Sequence, residues 1–278
     1  MQKSVKNPKV ILITGASSGM GKETAKLLAG QGHKVYAGAR RLEKMKDLES
    51  LGIEPIAMDV TREEDNKKAV DTIISRENRI DVLINNAGFG LYGAVEDIPL
   101  KDARYQFDVN LFGLAGLTQL VLPYMRRQKS GRIINLSSMG GKIYTPLGAW
   151  YHATKHAVEG FSDCLRLEVK QFGIDVVVIE PGLIQTNFGK VVGEQVQKYV
   201  DGSAYKSMLD PYLKMMNDPK FATMGTRAIV LAKEIARAVN AKKPKTRYLK
   251  GMMAKPAIFI RNTFGDRIYD SFISKAFG

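Results

Sequence analysis

Across 278 residues there is one cysteine, Cys164, so no internal disulfide can form, which suits a reducing compartment. The lone thiol reads as a small buried group on a helix rather than a reactive one. No apolar run approaches the roughly 18 residues needed to cross a bilayer, so no membrane span is expected. The N-terminal stretch MQKSVKNPKVILITG has a basic start, but its apolar part is short and stops at a glycine turn without a small-residue cleavage site. It is expected to be a first strand rather than a signal peptide, and the protein to be cytoplasmic. Histidine is scarce, at three residues. His152 and His156 share a helical spacing in HATKH, but the glutamate of a helical zinc motif and a third ligand are missing. They are therefore expected to be ordinary helix-surface histidines, with no metal. Acidic residues are also in deficit, 28 against 42 basic ones, for a net charge of +14. Beyond Asn240 nine basic residues face only Asp266 and Asp270, a local charge of +7. Such charge attracts anionic partners, yet no nucleic-acid motif accompanies it, and a solvated basic face is the preferred reading.

What is present is regular. Val/Ile-rich runs at 9–14, 33–39, 53–58, 80–85, 131–137 and 174–180 lack clean alternation, as strands buried on both faces do. Amphipathic segments near 20–31, 41–51, 62–77, 99–128 and 149–172 separate them, and Thr61 with Glu64 forms a capping-box pattern for the third. This order predicts an α/β fold with a Rossmann-like, doubly wound parallel sheet and helices on both faces. No repeat or low-complexity linker interrupts it, so a single domain, 1–278, is expected. Its cofactor-binding and catalytic core runs over 9–182, a substrate lid without convincing strands over 183–225, and a helix, a short strand and a basic-apolar tail over 226–278.

The first strand runs into TGASSGMGKE. Gly15, Gly19 and Gly21, with Ser17, Ser18 and Met20 in the same turn, would let backbone N–H groups approach a pyrophosphate at a helix N-terminus. After the second strand, where NAD enzymes place an acid for the ribose 2′-hydroxyl, stand Ala39, Arg40 and Arg41. A missing carboxylate and two guanidinium groups favour the 2′-phosphate of NADP(H). Asp59, followed by Val60, ends the third strand and is placed to accept a bond from an adenine amino group. Asn86, Ala87 and Gly88 in NNAG end the fourth, where small residues admit a cofactor at the carboxyl edge of the sheet.

Together, TGASSGMG, NNAG, Asn110 in DVNLFG, Ser138 in NLSS, YHATK and Pro181-Gly182 appear in one order. With them the sequence resembles the short-chain dehydrogenase/reductase family over about residues 9–190, in the subgroup with TGxxxGxG and YxxxK motifs that includes 17β-hydroxysteroid dehydrogenases. The resemblance implies hydride transfer between a nicotinamide and a carbonyl or carbinol carbon. It assigns Tyr151 as acid/base, Lys155 as its partner and a ribose ligand, Ser138 as a binder of the substrate oxygen, and Asn110 as a water-holding group. It also sets Pro181, Gly182 and Thr186 against the nicotinamide carboxamide. Ser137 is the alternative to Ser138, which the motif register prefers. For Asn110, a helix kink stabilised by its amide is compatible with the catalytic role. A Lys155 ammonium about 5 Å from the phenol would favour phenolate by roughly 3 kcal/mol at an effective dielectric near 20, about two pKa units. Burial opposes this. The expected sum brings Tyr151 from about 10 toward working pH.

Phenylalanine, tyrosine and methionine crowd residues 183–225, as suits a mobile lid over a bulky, hydrophobic alcohol or carbonyl substrate such as a steroid, a retinoid or a long-chain compound. Leu111, Leu114, Leu117, Phe161 and Leu165 offer apolar faces that the family uses for a homodimer or homotetramer. The tail is expected to pack on the domain or a subunit in preference to an anionic membrane surface. Two other functions remain open at this point: a non-catalytic nucleotide-binding regulator or scaffold of the same fold, and a peripheral membrane-associated lipid or retinoid reductase.

Overall fold

The computed structural model describes residues 7–277; the basic start over residues 1–6, and Gly278, both counted in the single-domain expectation, lie outside the described residues. Seven parallel strands form the central sheet: β1 Val10–Thr14, β2 Lys34–Ala39, β3 Glu54–Ala57, β4 Val82–Asn85, β5 Gly131–Leu136, β6 Ile174–Pro181 and β9 Arg247–Lys250. Their order is β3-β2-β1-β4-β5-β6-β9. The chain winds outward from β1 to β3, then restarts at β4 on the other side of β1. That reversal opens a crevice at the carboxyl ends of β1 and β4, where open α/β sheets take ligands.

Both faces of the sheet are covered, as its unalternated strands require. One face packs Ile11, Ile13, Val35 and Ile84 against helices α1 Gly19–Gly30 and α10 Ala228–Asn240. The other packs Leu12, Tyr36, Leu83 and Ile133 against α3 Glu63–Glu77, α5 Gly113–Gln128 and α6 Ala149–Val169. The doubly wound α/β architecture is the one the element order predicts.

Several local expectations change. The segment at 41–51 is a 3₁₀ turn, Leu42–Met45, followed by a single helical turn, α2 Lys46–Glu49. Helix α3 starts at Glu63 and has no side-chain cap. The Thr61 hydroxyl donates to Asp59 Oδ1 at 2.8 Å instead of capping, so the capping box does not form. The long helix at 99–128 is interrupted: α4 Leu100–Phe107 runs into a π-helical turn, Asp108–Phe112, before α5. Beyond β6, Ile184–Gln185 (β7), inside the stretch 183–225 expected to lack strands, pairs with Thr226–Arg227 (β8) just past its end in a two-residue ladder. Between them lie α7 Phe188–Val196, α8 Lys206–Asn217 and α9 Pro219–Thr223, and after β9 comes α11 Ala254–Phe277, kinked at Gly265.

Helix α6 turns Thr154, Val158, Ser162, Leu165 and Val169 inward. Cys164 therefore falls on the outer face and is exposed, contrary to its expected burial. Leu114, Leu117 and Leu165, expected at a subunit interface, are core residues of the monomer, whereas Phe112 and Leu167 stand exposed on the same helices. Among the described residues, no helix is long and apolar enough to cross a membrane.

Candidate active site

The loop from β1 to α1 is built around three glycines. Gly15 and Gly19 have φ of 66° and 54°, a backbone conformation that side chains disfavour. A Cβ on Gly21 would lie 2.5 Å from both Asn86 Nδ2 and Gly15 O. That Asn86 amide donates to Thr14 O at 2.8 Å, and the Thr14 hydroxyl accepts from the backbone N–H of Ala87 at 3.0 Å. NNAG and the glycine turn thus brace one another. Ser17, Ser18 and Met20 lie in this turn, and Thr186 closes its far side, its methyl 3.3 Å from where a Gly19 Cβ would be.

At the end of β2, Ala39 is buried and Arg40 reaches across to α4, where its Nη1 donates to the Tyr105 hydroxyl at 2.9 Å. The same nitrogen stands 3.9 Å from Asp59 Oδ2. Asp59 Oδ1 accepts from the N–H of Thr61 at 3.0 Å, so only its second oxygen is left to face an adenine. Arg41 is exposed at the head of the 3₁₀ turn, and the Val60 carbonyl accepts from Asn66. The glycine cradle, which a Cβ on Gly15 or Gly21 would fill, and the cation and carboxylate beyond it fit a nicotinamide dinucleotide. Tyr105 was not legible in the sequence, since 65 residues separate it from Arg40.

Ser138, Tyr151, Lys155 and Asn110 converge at the carboxyl ends of β4 and β5. Ser138 heads a 3₁₀ turn, Met139–Gly141, and its Oγ accepts from Gly140 N at 3.0 Å. Tyr151 and Lys155 lie one turn apart on α6, with Lys155 Nζ 5.9 Å from the phenol ring centroid and donating to Leu136 O at 2.8 Å. The Asn110 amide donates to Phe89 O at 2.9 Å and to the Thr154 hydroxyl at 3.1 Å, while its oxygen accepts from Phe89 N at 3.0 Å. A Cβ on Gly88 would lie 3.0 Å from that oxygen and 3.7 Å from Lys155 Nζ, so Gly88, Asn110 and Lys155 surround one point. Ser137 is buried with its hydroxyl unpartnered, whereas the Ser138 hydroxyl is the one that acts on the Tyr151 phenol, pulling its pKa down.

Tyr151 is only 8% exposed, and burial raises its pKa above the usual phenol value, with the Ser138 bond pulling the other way. The expected lowering, which also counts the positive charge of an oxidised nicotinamide, does not arise from the chain's own groups. Lys155 is itself buried, which draws its ammonium down to about 8 although Glu159 opposes that shift. Desolvation therefore outweighs the attraction between lysine and phenolate among this chain's own groups.

His152 is buried and not on the surface. Its Nε2 lies 3.1 Å from the backbone N–H of Thr145, an obligate donor, so that nitrogen accepts and Nδ1 donates to Gly140 O at 2.9 Å. Burial lowers its pKa, and the neutral ring ties both ends of the loop that carries Ser138. Behind Lys155 lies a charge cluster that the motifs do not include. Glu159 Oε2 receives Lys142 Nζ at 2.9 Å and Arg247 Nη2 at 2.9 Å. Arg247 also contacts Asp163 at 2.7 Å and Glu180 at 3.3 Å. Glu180 immediately precedes Pro181-Gly182, and burial, then the Glu159 charge, pushes its pKa up to about 7.

Aromatic side chains of α7, α8 and the loop after β4 pack over Tyr151. Phe188 of α7 lies 5.6 Å from its ring and Tyr92 5.5 Å, while Tyr212 of α8 stacks on Tyr92 at 5.6 Å. Val192, Val196, Leu209 and Met216 complete this apolar cluster.

The short chain dehydrogenase family profile matches residues 9–197. A 3-ketodihydrosphingosine reductase of Bacteroides thetaiotaomicron is 46% identical over 182 residues, 65% of this chain and 66% of that protein. A probable short-chain type dehydrogenase/reductase of Helicobacter pylori is 35% identical over 94% of each chain. The closed form of a serine dehydrogenase complexed with NADP+ superposes with a TM-score of 0.74 at 27% identity, over 87% of this chain and 94% of that one. On this fold, this site and these matches, the chain belongs to the short-chain dehydrogenase/reductase family of oxidoreductases.

Proposed function

We propose that the protein is an NADP(H)-dependent reductase of bulky, apolar carbonyl compounds, able to run the reverse alcohol oxidation. The carrying observation is Tyr151: a phenol bonded to Ser138 and backed by Lys155, buried among apolar rings of the lid. Gly15, Ser17, Ser18, Gly19, Met20 and Gly21 would hold the pyrophosphate, Arg40 and Arg41 the 2′-phosphate, and Asp59 and Val60 the adenine. Asn86, Ala87, Gly88, Pro181, Gly182 and Thr186 would line the remainder, with Tyr151 and Lys155 near the nicotinamide ribose. When bound, the dinucleotide supplies the hydride.

The chain's own groups handle the proton. A substrate carbonyl oxygen set between the Ser138 and Tyr151 hydroxyls is polarised by both. Because burial keeps the phenol protonated at neutral pH, Tyr151 starts as an acid, ready to protonate the oxygen as negative charge develops there. Lys155, still mostly charged at pH 7, steadies the phenolate that remains, and Asn110 fixes the loop beside it. Entry to Tyr151 requires Phe188 to swing away, so the lid excludes water once closed.

The lining favours apolar substrates, and the relative named for reducing 3-ketodihydrosphingosine is consistent with a long-chain ketone. The test compares kcat/KM for long-chain ketones and aldehydes, steroids, retinoids and sugars with each cofactor. NADPH should exceed NADH by tenfold or more on the order of one bidentate phosphate contact, and an Arg40→Ala change should erase most of that difference. Equal efficiencies with both cofactors would end the NADP(H) assignment, and a preference for sugars would end the apolar one. The same reading includes a homodimer or homotetramer formed across α5 and α6.

A further inference from the structure

Helix α11 is pinned to the molecule by one face alone. Ala257, Tyr269 and Ile273 are buried against Ile143, just beyond the turn that carries Ser138. The Tyr269 hydroxyl donates to Tyr144 O at 3.1 Å. On the open face Phe259, Phe264, Ile268 and Phe272 remain solvent-exposed, Phe259 and Ile268 by more than half. The helix is kinked at Gly265, with φ 72°, and the Phe259 and Phe264 rings meet edge to face at 6.2 Å in the half that precedes the kink. Large apolar side chains left exposed along both halves of α11 mark an interaction surface.

The charges of α11 are basic in excess, with Lys255, Arg261, Arg267 and Lys275 against Asp266 and Asp270. Asp270 accepts from the Tyr144 hydroxyl at 2.8 Å, and Asp266 pairs with Arg261 at 2.5 Å, whose guanidinium covers the Tyr144 ring. Both acids of the tail are thereby engaged with partners close to Tyr144. Lys255, Arg267 and Lys275 stay exposed along the helix, with Lys250 just ahead of it. The ridge also begins at the rim of the catalytic cleft. The backbone N–H of Leu183, next to Gly182, donates to Met252 O at 3.0 Å, and Met252 and Met253, which precede the helix, are exposed.

We propose that α11 is a docking surface for an anionic lipid membrane, laying Phe259, Phe264, Ile268 and Phe272 into the headgroup boundary while Lys255, Arg267 and Lys275 meet lipid phosphates. Apolar burial joined to cationic flanks is the chemistry of interfacial helices. The purpose of the surface rests on the apolar substrate proposed above: the cleft rim would face the phase in which such a compound resides. Binding itself needs no turnover.

The test is co-sedimentation of the full chain with vesicles of phosphatidylglycerol and phosphatidylcholine, against vesicles of phosphatidylcholine alone. Binding should be about tenfold or more stronger to the anionic vesicles at low salt and should weaken as salt is raised. Phe264→Ser with Ile268→Ser should reduce it at least about tenfold, and Arg267→Gln with Lys275→Gln by about fivefold per charge. Circular dichroism and thermal melting check that the variants are folded; should the apolar pair fail to fold, the charge pair and the salt series decide. Absence of binding to anionic vesicles at low salt overturns the proposal. Binding unaffected by the apolar changes overturns it too, since that is adsorption by net charge. An oligomer that the apolar pair splits, seen by light scattering, assigns the ridge to a second copy of this chain. NADPH oxidation with the long-chain ketones, aldehydes, steroids and retinoids is measured separately without vesicles, so a protein inactive on all of them but vesicle-bound refutes the reductase reading and leaves the surface standing.

Discussion

Tyr151 and Lys155 are placed in a medium that resists charge, and the chemistry follows from which of their forms survives there. The phenol is held protonated and the ammonium is only weakly favoured, a pair suited to giving a proton to a reduced carbonyl. Tyr151→Phe keeps the ring contacts to Tyr92 and Phe188 and removes only the proton donor. Its kcat should fall by about 10²–10⁴-fold while fluorescence titration shows NADPH affinity preserved. Retention of more than about a tenth of wild-type kcat would remove Tyr151 from the acid role. Glu180 carries a second titration. Its folded pKa, about 7, lies above the ordinary carboxyl value of 4.5, so the folded chain holds this proton more tightly than the unfolded one. The stability it contributes is full below about 4.5 and is lost as pH rises through 7. Lys142, Glu159, Asp163 and Arg247 are the charged groups around it. Glu180→Gln cannot ionise, so its urea midpoint should gain on the wild type between about pH 5 and about pH 8. A constant difference across that range would show that Glu180 does not titrate there.

At the scale of elements, the π-helical turn at Asp108–Phe112 is what aims Asn110 inward. One extra residue in the helical ladder rotates the chain locally, and such bulges gather at functional sites. The amide then exchanges two bonds with the Phe89 backbone, tying the loop after β4 to the helix that follows. Asn110→Ala leaves the Phe89 N–H and carbonyl without these partners, a loss of about 1–3 kcal/mol. Urea denaturation should show that loss, and kcat should fall with it. A variant of unchanged stability and rate would make the turn a mere irregularity. His152 does the same service for the loop after β5, where its neutral ring spans Gly140 and Thr145.

For the molecule as a whole, the proposed association across α5 and α6 turns on what those helices leave exposed. Leu114, Leu117 and Leu165 are spent on the monomer's own core, leaving Phe112 and Leu167, 61% and 71% exposed, as the large apolar groups of that surface. No neighbouring atom lies near the Cβ positions of Gly116 and Gly160, so a second helix can approach closely. Light scattering at micromolar protein should give a dimer or tetramer mass, and Phe112→Ser with Leu167→Ser should shift it to the monomer. An unchanged mass in the double variant would place the interface elsewhere.

Local chemistry made much of this protein legible in its sequence. Strand and helix order follow from short-range apolar patterning and the glycine turn from positions where backbone must approach a ligand, while Tyr151 with Lys155 are assigned by resemblance to the family's ordered motifs, their helical spacing alone being uninformative. Ser138, Asn110 and the NNAG segment then fall at strand ends and helix positions that the same order dictates. What required the tertiary structure were the quantities that depend on who becomes a neighbour. Arg247 reaches Glu159 across 88 residues of chain, and no spacing rule connects them. The direction of the Tyr151 shift, the burial of His152, the exposure of Cys164 and the inward turn of Leu114 were all settled by packing. Periodicity says that a helix has an apolar face, but only the fold says what covers it. Desolvation, which reversed the expected balance at Tyr151, exists only once distant segments have closed around the group.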